Sequence, residues 1–240
     1  MTNKFFNAAK TGDVLTLNIY GAIGADMFGE GITAQTVSDA LKDPCKSITV
    51  RLNSPGGSAF DGVAIYNLLK TSNKSVTVIV DGMAASAASI IAMAGDTITM
   101  ATGSVMMIHE GMAIACGNAD SMRKMADTLT TVTSGIADIY VAKTGLPKAD
   151  ILAMQHVETW MAADEAVAKG FATSVSKTSA VKNEFKLDVF SNVPSALKAE
   201  AVTEPVVEPV VVKPVVEEPV VNAAPDLSIY THQLELNKRK

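Results

Sequence analysis

The chain is poor in several residue types, and each shortage excludes something. Only two cysteines occur in 240 residues, Cys45 and Cys116, without CxxC spacing. That rules out a disulfide framework and a zinc ribbon, and it fits a reducing compartment. Cys116 reads as a small buried hydrophobe. Basic residues are in deficit, with 20 Lys and Arg against 25 Asp and Glu. A nucleic-acid binder would instead carry a clustered basic face. The most apolar run, 83–95, is closed by Asp96 and is too short to cross a bilayer. The opening "MTNKFFNAAKTGD" has neither the apolar stretch nor the cleavage site of a secretory signal. The three histidines form no ligand cluster with other residues, so neither metal nor organic cofactor is expected. These absences together imply a soluble cytoplasmic protein without membrane or nucleic-acid partners.

What is present is a core and an alternating pattern. Hydrophobic residues make up 48% of the chain, enough for one sizeable core. Runs rich in Val, Ile and Thr at 14–21, 47–53, 75–82, 96–101 and 104–109 read as strands. Helical patterns at 33–43 and 61–71 separate the first three. Strand, helix, strand predicts right-handed βαβ units, a mostly parallel sheet and the α/β class. Residues 119–143 read as one long helix, with Met122, Met125, Leu129, Val132, Ile136 and Ile139 stepping by three and four. That narrow seam suits packing against another helix, within the subunit or across a subunit boundary.

Composition changes near residue 181. "EPVVEPVVVKPVVEEPVV" repeats a Pro-Val-Val unit, and proline at this density forbids helix interiors and central strands. The expected organisation is a folded domain over 1–180, a disordered low-complexity linker over 181–225 and a short end over 226–240.

Chemistry concentrates in three places. "RLNSPGGSAFDG" places Gly56-Gly57 in a strand-to-helix loop, where glycine opens backbone angles closed to other residues. "VDGMAASAAS" carries two serines three apart at what reads as a helix start, where free N–H groups favour developing negative charge. It is not the G-x-S-x-G elbow, because Ala88 stands where the second glycine would be. A nucleophilic serine needs a base within hydrogen-bond reach. His109, at the tip of the apolar run "SVMMIH", is the first candidate, His156 is a rival, and His232 lies in the tail. The acid could be Glu158, with Glu110, Asp96 and Asp164 behind it.

"LNSPGG", "GMAASAAS", "VMMIH" and "ETWMAADEAVAKGFA" occur in the order and with the spacing of the Clp protease proteolytic subunit (ClpP) family, which the chain resembles over about 14–175. More narrowly, it resembles the ClpP-like head maturation proteases of tailed bacteriophages, through "KFFNAAKTGDVLTLNIYGAIG", "ETWM" and the C-terminal extension. The resemblance implies the ClpP/crotonase fold of stacked βαβ units with a protruding helical handle, which the 119–143 helix would supply. It implies a serine endopeptidase with Ser86 as nucleophile, His109 as general base and an oxyanion hole from the Gly57 and Ala87 amides. Glu158 falls where most members have aspartate. Ser89 is then a packing residue that back-bonds to a carbonyl. The resemblance further implies homo-oligomeric, often heptameric, stacked rings acting on scaffold or capsid proteins in the host cytoplasm or assembling prohead. Three rival expectations remain: a housekeeping subunit fed by an ATPase partner, a crotonase-type enzyme acting on CoA thioesters, and a catalytically degenerate capsid-assembly protein.

Overall fold

The computed structural model describes residues 5–25, 31–179, 185 and 187–197. The Pro-Val run, the 226–240 end and His232 lie outside these residues. An antiparallel hairpin of β1 (Phe6–Thr11) and β2 (Val14–Ile19) opens the chain. Then follow α1 (Ala34–Ala40), β3 (Ser47–Ser54), α2 (Ala59–Lys70), β4 (Ser75–Ala85), α3 (Ala87–Ala92), β5 (Thr97–Thr102) and β6 (Val105–Ile108). The long α4 (Ala119–Thr144), α5 (Lys148–His156), β7 (Thr159–Ala162), α6 (Ala163–Ala168) and β8 (Ser174–Ser179) complete the series, before a 3₁₀ turn at Ser195–Leu197.

The sheet runs β1-β2-β3-β4-β5-β8 and is parallel from β2 onward. Period-two burial explains the central strands. Leu15, Leu17 and Ile19, then Ile48, Val50 and Leu52, then Val76, Val78 and Val80 all face the core. From Asp81 to Ala85 the alternation stops and every residue is buried. Here β4 leaves β5, which it pairs through Thr77–Val80, and takes up β6 through Met83–Ala85. Strand β6 in turn pairs antiparallel with β7. The expected helix start at "GMAAS" is therefore strand as far as Ala85. Pairing with β6 overrides the helical preference of the alanines.

The hairpin strand β1, the short β7 and the polar β8 were not visible in the pattern, nor were α5 and α6. β1 is exposed along most of its length, so burial imposes no alternation on it.

Helix α4 is capped by Asn118, whose side chain accepts from the Ser121 N–H at 3.0 Å, and ends at Gly145 with φ 73°. Its apolar seam divides. Ile136, Ala137 and Tyr140 are buried in the core, whereas Ala119–Lys124 are exposed. The segment before it, 110–118, is largely exposed, and Cys116 with it. The expectation of a buried Cys116 fails because no element covers that connection among the described residues.

The folded body also continues past residue 180. Leu187 and Val193 are buried in a second cluster with Met83, Ala85 and Met107. The expected boundary at 180 thus falls before residues that pack against β4 and β6.

Asp81 ties the strand ends together. Arg51 of β3 reaches it through two nitrogens of one guanidinium edge, Nη2 to Oδ1 and Nε to Oδ2 at 2.9 Å, and the Tyr20 hydroxyl donates to Oδ2 at 2.7 Å. The carboxylate is buried and Arg51 only half so. We expect Asp81→Asn to cost about 2 kcal/mol, because it leaves a partly desolvated guanidinium without its counter-charge. Urea unfolding of the variant would measure this, and an unchanged midpoint would show that the pair contributes nothing.

Candidate active site

Ser86 joins β4 to α3 with φ 53° and ψ −123°, a conformation that L-residues rarely adopt. The backbone is held on both sides. The Ser86 N–H donates to the Met107 carbonyl at 2.9 Å, and the Ser86 carbonyl accepts from Ser89 N–H at 2.9 Å and Ser89 Oγ at 2.6 Å. Ser89 thus back-bonds as expected, and it also meets the wholly buried Tyr140 hydroxyl at 2.8 Å. Burial pushes the Tyr140 phenol up, which keeps it neutral.

A serine at a helix N-cap ordinarily spends its hydroxyl on the helix. Ser86 does not cap α3. Its Oγ instead lies 2.7 Å from His109 Nε2. The helix has only six residues, so what it offers is its unspent N–H groups rather than a long dipole.

The Gly-Gly loop packs directly on this turn. A Cβ on Gly56 would stand 2.6 Å from the Ala85 carbonyl oxygen and from Ser86 Cβ. Gly57, at φ 141°, forms a parallel bridge with Ile23. Its neighbours are bound, Ile23 N–H to the Gly56 carbonyl and Ser58 N–H to the Ile23 carbonyl, each at 2.8 Å. The Gly57 and Ala87 amides make no hydrogen bond among the described residues, and both residues border the same cleft. Two free donors beside a serine are suited to receive an oxyanion.

His109 is mostly buried, and burial pushes its imidazole below the usual histidine value. The charges of Glu158 and Glu110 oppose that shift. The ring is therefore neutral near pH 7, the form that accepts a proton.

Glu158 departs from the expected arrangement. It is buried, at φ 52°, but its carboxylate is not bonded to His109. Oε1 accepts from Asn192 N–H at 2.6 Å and Trp160 Nε1 at 3.1 Å, and Oε2 accepts from Ser191 N–H at 2.7 Å. Nδ1 of His109 has no hydrogen-bond partner among the described residues. Glu158 thus reaches the imidazole through its charge alone. Its donors come from a stretch that no motif in the sequence marked.

Of the other candidates, Glu110 borders the cleft next to His109, and the rest lie elsewhere. His156 ends α5 at the surface, 3.2 Å from Glu110, and does not line the cleft. Asp96 accepts from the Val76 N–H, and Asp164 is exposed in the first turn of α6. Sequence reasoning missed Phe190, whose ring meets His109 edge to face with centroids 5.5 Å apart. No motif marked it.

The cleft over Ser86 has a volume of about 570 Å³. Its walls are apolar, from Phe60, Ile90, Met112, Met125, Leu129 and Val132 among others. Among the described residues no group of His, Cys, Asp or Glu is placed to hold a metal ion, and no helix is long and apolar enough to cross a membrane.

Hydrolysis needs neutral His109, so the acid limb of kcat/KM should lie below the usual value of about 6.5. Glu158→Gln removes a charge that favours the imidazolium. The limb should then move lower still, while kcat falls because the transition-state imidazolium loses its support. A limb that stays put would show that Glu158 exerts no field on His109.

The family described as Clp protease matches residues 14–179. The chain is 32% identical to the ATP-dependent Clp protease proteolytic subunit 3 of Rhodococcus jostii, over 59% of this chain and 71% of that one. To the proteolytic subunit 1 of Chlamydia pneumoniae it is 35% identical, over 58% of this chain and 79% of that one. Among solved structures, an Asn-to-Asp mutant of ClpP1 from Listeria monocytogenes matches with a TM-score of 0.59 and 22% identity, covering 69% of this chain and 92% of its own. That last likeness carries the fold.

Proposed function

The chain belongs to the Clp protease family of serine endopeptidases, and on that premise we propose that it cleaves protein substrates by acyl transfer through Ser86. His109 takes the Ser86 proton as Oγ attacks a peptide carbonyl, then returns it to the leaving amine. The Gly57 and Ala87 amides receive the oxyanion, and water later releases the acyl group from Ser86. The observation that carries this reading is the 2.7 Å contact between Ser86 Oγ and His109 Nε2 in an otherwise apolar cleft. It also opposes the degenerate-assembly alternative, since an idle site has no reason to keep serine uncapped and paired. A fluorophosphonate should modify the protein at Ser86 alone, as read by peptide mass spectrometry. Modification elsewhere, or none, would remove the proposal.

We assign the working form to a homo-oligomeric ring, heptameric as family resemblance suggests, which native mass spectrometry would weigh directly. The narrower role is maturation of phage proheads by cleavage of scaffold or capsid-associated proteins. Its supports are the opening "KFFNAAKTGDVLTLNIYGAIG", the "ETWM" block and the Pro-Val extension. The relatives' names, ATP-dependent proteolytic subunits, favour the housekeeping alternative. ATP-independent trimming of a co-expressed scaffold protein would support the first. Degradation of a folded reporter only with an unfoldase ATPase and ATP would support the second.

A further inference from the structure

Residues 187–197 lie beyond the family-matched region, which ends at 179, yet they close one side of the cleft. Phe190 touches two site residues by ring edges, His109 at 5.5 Å and Trp160 at 5.8 Å between centroids. The next two amides, of Ser191 and Asn192, donate to the two oxygens of Glu158, and the Trp160 indole donates to one of them. Asn192 is tied back again, its Nδ2 donating to the Val157 carbonyl at 2.8 Å. Leu187 and Val193, buried on either side of this stretch, anchor it against Met83, Ala85 and Met107. Phenyl ring, indole, carboxylate and backbone amides form a closed circuit, and the imidazole joins it through the phenyl ring.

We propose that this C-terminal segment is a working part of the active site, Phe190 being a positioning residue for the His109 ring and the Ser191 and Asn192 amides fixing the Glu158 carboxylate in its place beside it. Three observations carry it. The donors on Glu158 are two successive backbone amides, one to each carboxylate oxygen, which fix where the carboxylate sits. The Phe190 ring shields the imidazole from water, and a ring held on one face has fewer orientations from which to reach Ser86. Val189 and Phe190 also line the cleft itself, so the segment forms a wall that substrate meets. The charged groups acting on His109 are Glu158 and Glu110, and of these only Glu158 is held by the segment.

The proposal rests on the acyl-transfer reading, and the test separates the two. Full-length protein is compared with Phe190→Ala, Phe190→Tyr and Asn192→Pro, the last removing one amide donor to Glu158 together with the side-chain bond to Val157. Kinetics are read on a short fluorogenic apolar peptide, alongside fluorophosphonate modification of the unaltered protein. Phe190→Ala should lower kcat about tenfold, the scale of one lost ring-edge contact. It should also move the acid limb of the pH profile up, because water now reaches the imidazole. Phe190→Tyr, which keeps the ring, should restore both. Asn192→Pro should lower kcat and move the limb down, as Glu158→Gln does, because the released carboxylate leaves its place near the imidazole. Unchanged kcat and limb in Phe190→Ala would overturn the proposal. So would a rise in kcat in Asn192→Pro, which would show the segment restraining Glu158 from His109. If Asn192→Pro does not fold, the phenylalanine pair decides alone. Absence of Ser86 modification in the unaltered protein would instead strike the acyl-transfer reading beneath it.

Discussion

Ser86→Ala should abolish peptide hydrolysis, with a fall of about 10⁶-fold in kcat, the scale seen when a serine nucleophile is removed. The substitution deletes one oxygen atom. Fold should be retained, because the turn around residue 86 is held by backbone groups: Ser86 N–H to Met107, and the Ser86 carbonyl to Ser89. His109→Ala should cost nearly as much, and the double variant no more than either alone, since the two residues act as one unit. Fluorophosphonate modification should vanish in Ser86→Ala. Hydrolysis surviving within about tenfold of the original in that variant would mean that another nucleophile is at work.

The second large effect is expected at Gly57. A methyl group there would stand 2.2 Å from the Ile23 carbonyl oxygen, at φ 141°, where side chains are strained whatever the space. The bridge to Ile23 must open, and the amide proposed to receive the oxyanion moves with it. Gly57→Ala should lower kcat by about 100- to 1000-fold, the cost of one lost oxyanion donor. It should also destabilise the fold by about 1–3 kcal/mol through backbone strain. The two consequences have separate readouts. A peptide aldehyde, which forms an oxyanion adduct on the serine, should lose affinity far more than an unreactive peptide of the same sequence. Equal losses for both ligands would place the effect in general cleft damage. Gly56→Ala should behave similarly, because its Cβ would press on Ala85 and Ser86 themselves.

Much of the site was legible because its chemistry depends on residue type in fixed local surroundings. Gly56-Gly57 must be glycine for steric reasons, and a serine and a histidine at the ends of two buried runs suggest a pair. Ser89 back-bonding follows from its three-residue offset. Distances and partners were not legible. The strand character of "GMAA" depends on β6, some twenty residues later in the chain. Ser86's freedom from capping depends on a backbone angle that nothing nearby in the sequence dictates. Glu158 illustrates the gap best. Its identity and position were readable, but what binds it is a pair of amides 33 and 34 residues away. Those amides belong to a stretch whose composition merges into the Pro-Val run.

By itself, the sequence determined the α/β class, the central strands and the extent of the long helix, because each leaves a periodic signature within a few residues; the choice of Ser86 and His109 came from the family resemblance. Only the tertiary structure decided that Ser86 leaves its helix uncapped, that Glu158 bonds to the C-terminal segment rather than to His109, and that Phe190 belongs beside the imidazole. Backbone amides carry no residue code, and every residue but proline brings one. Which of them end up facing a buried carboxylate is settled by packing over long chain separations.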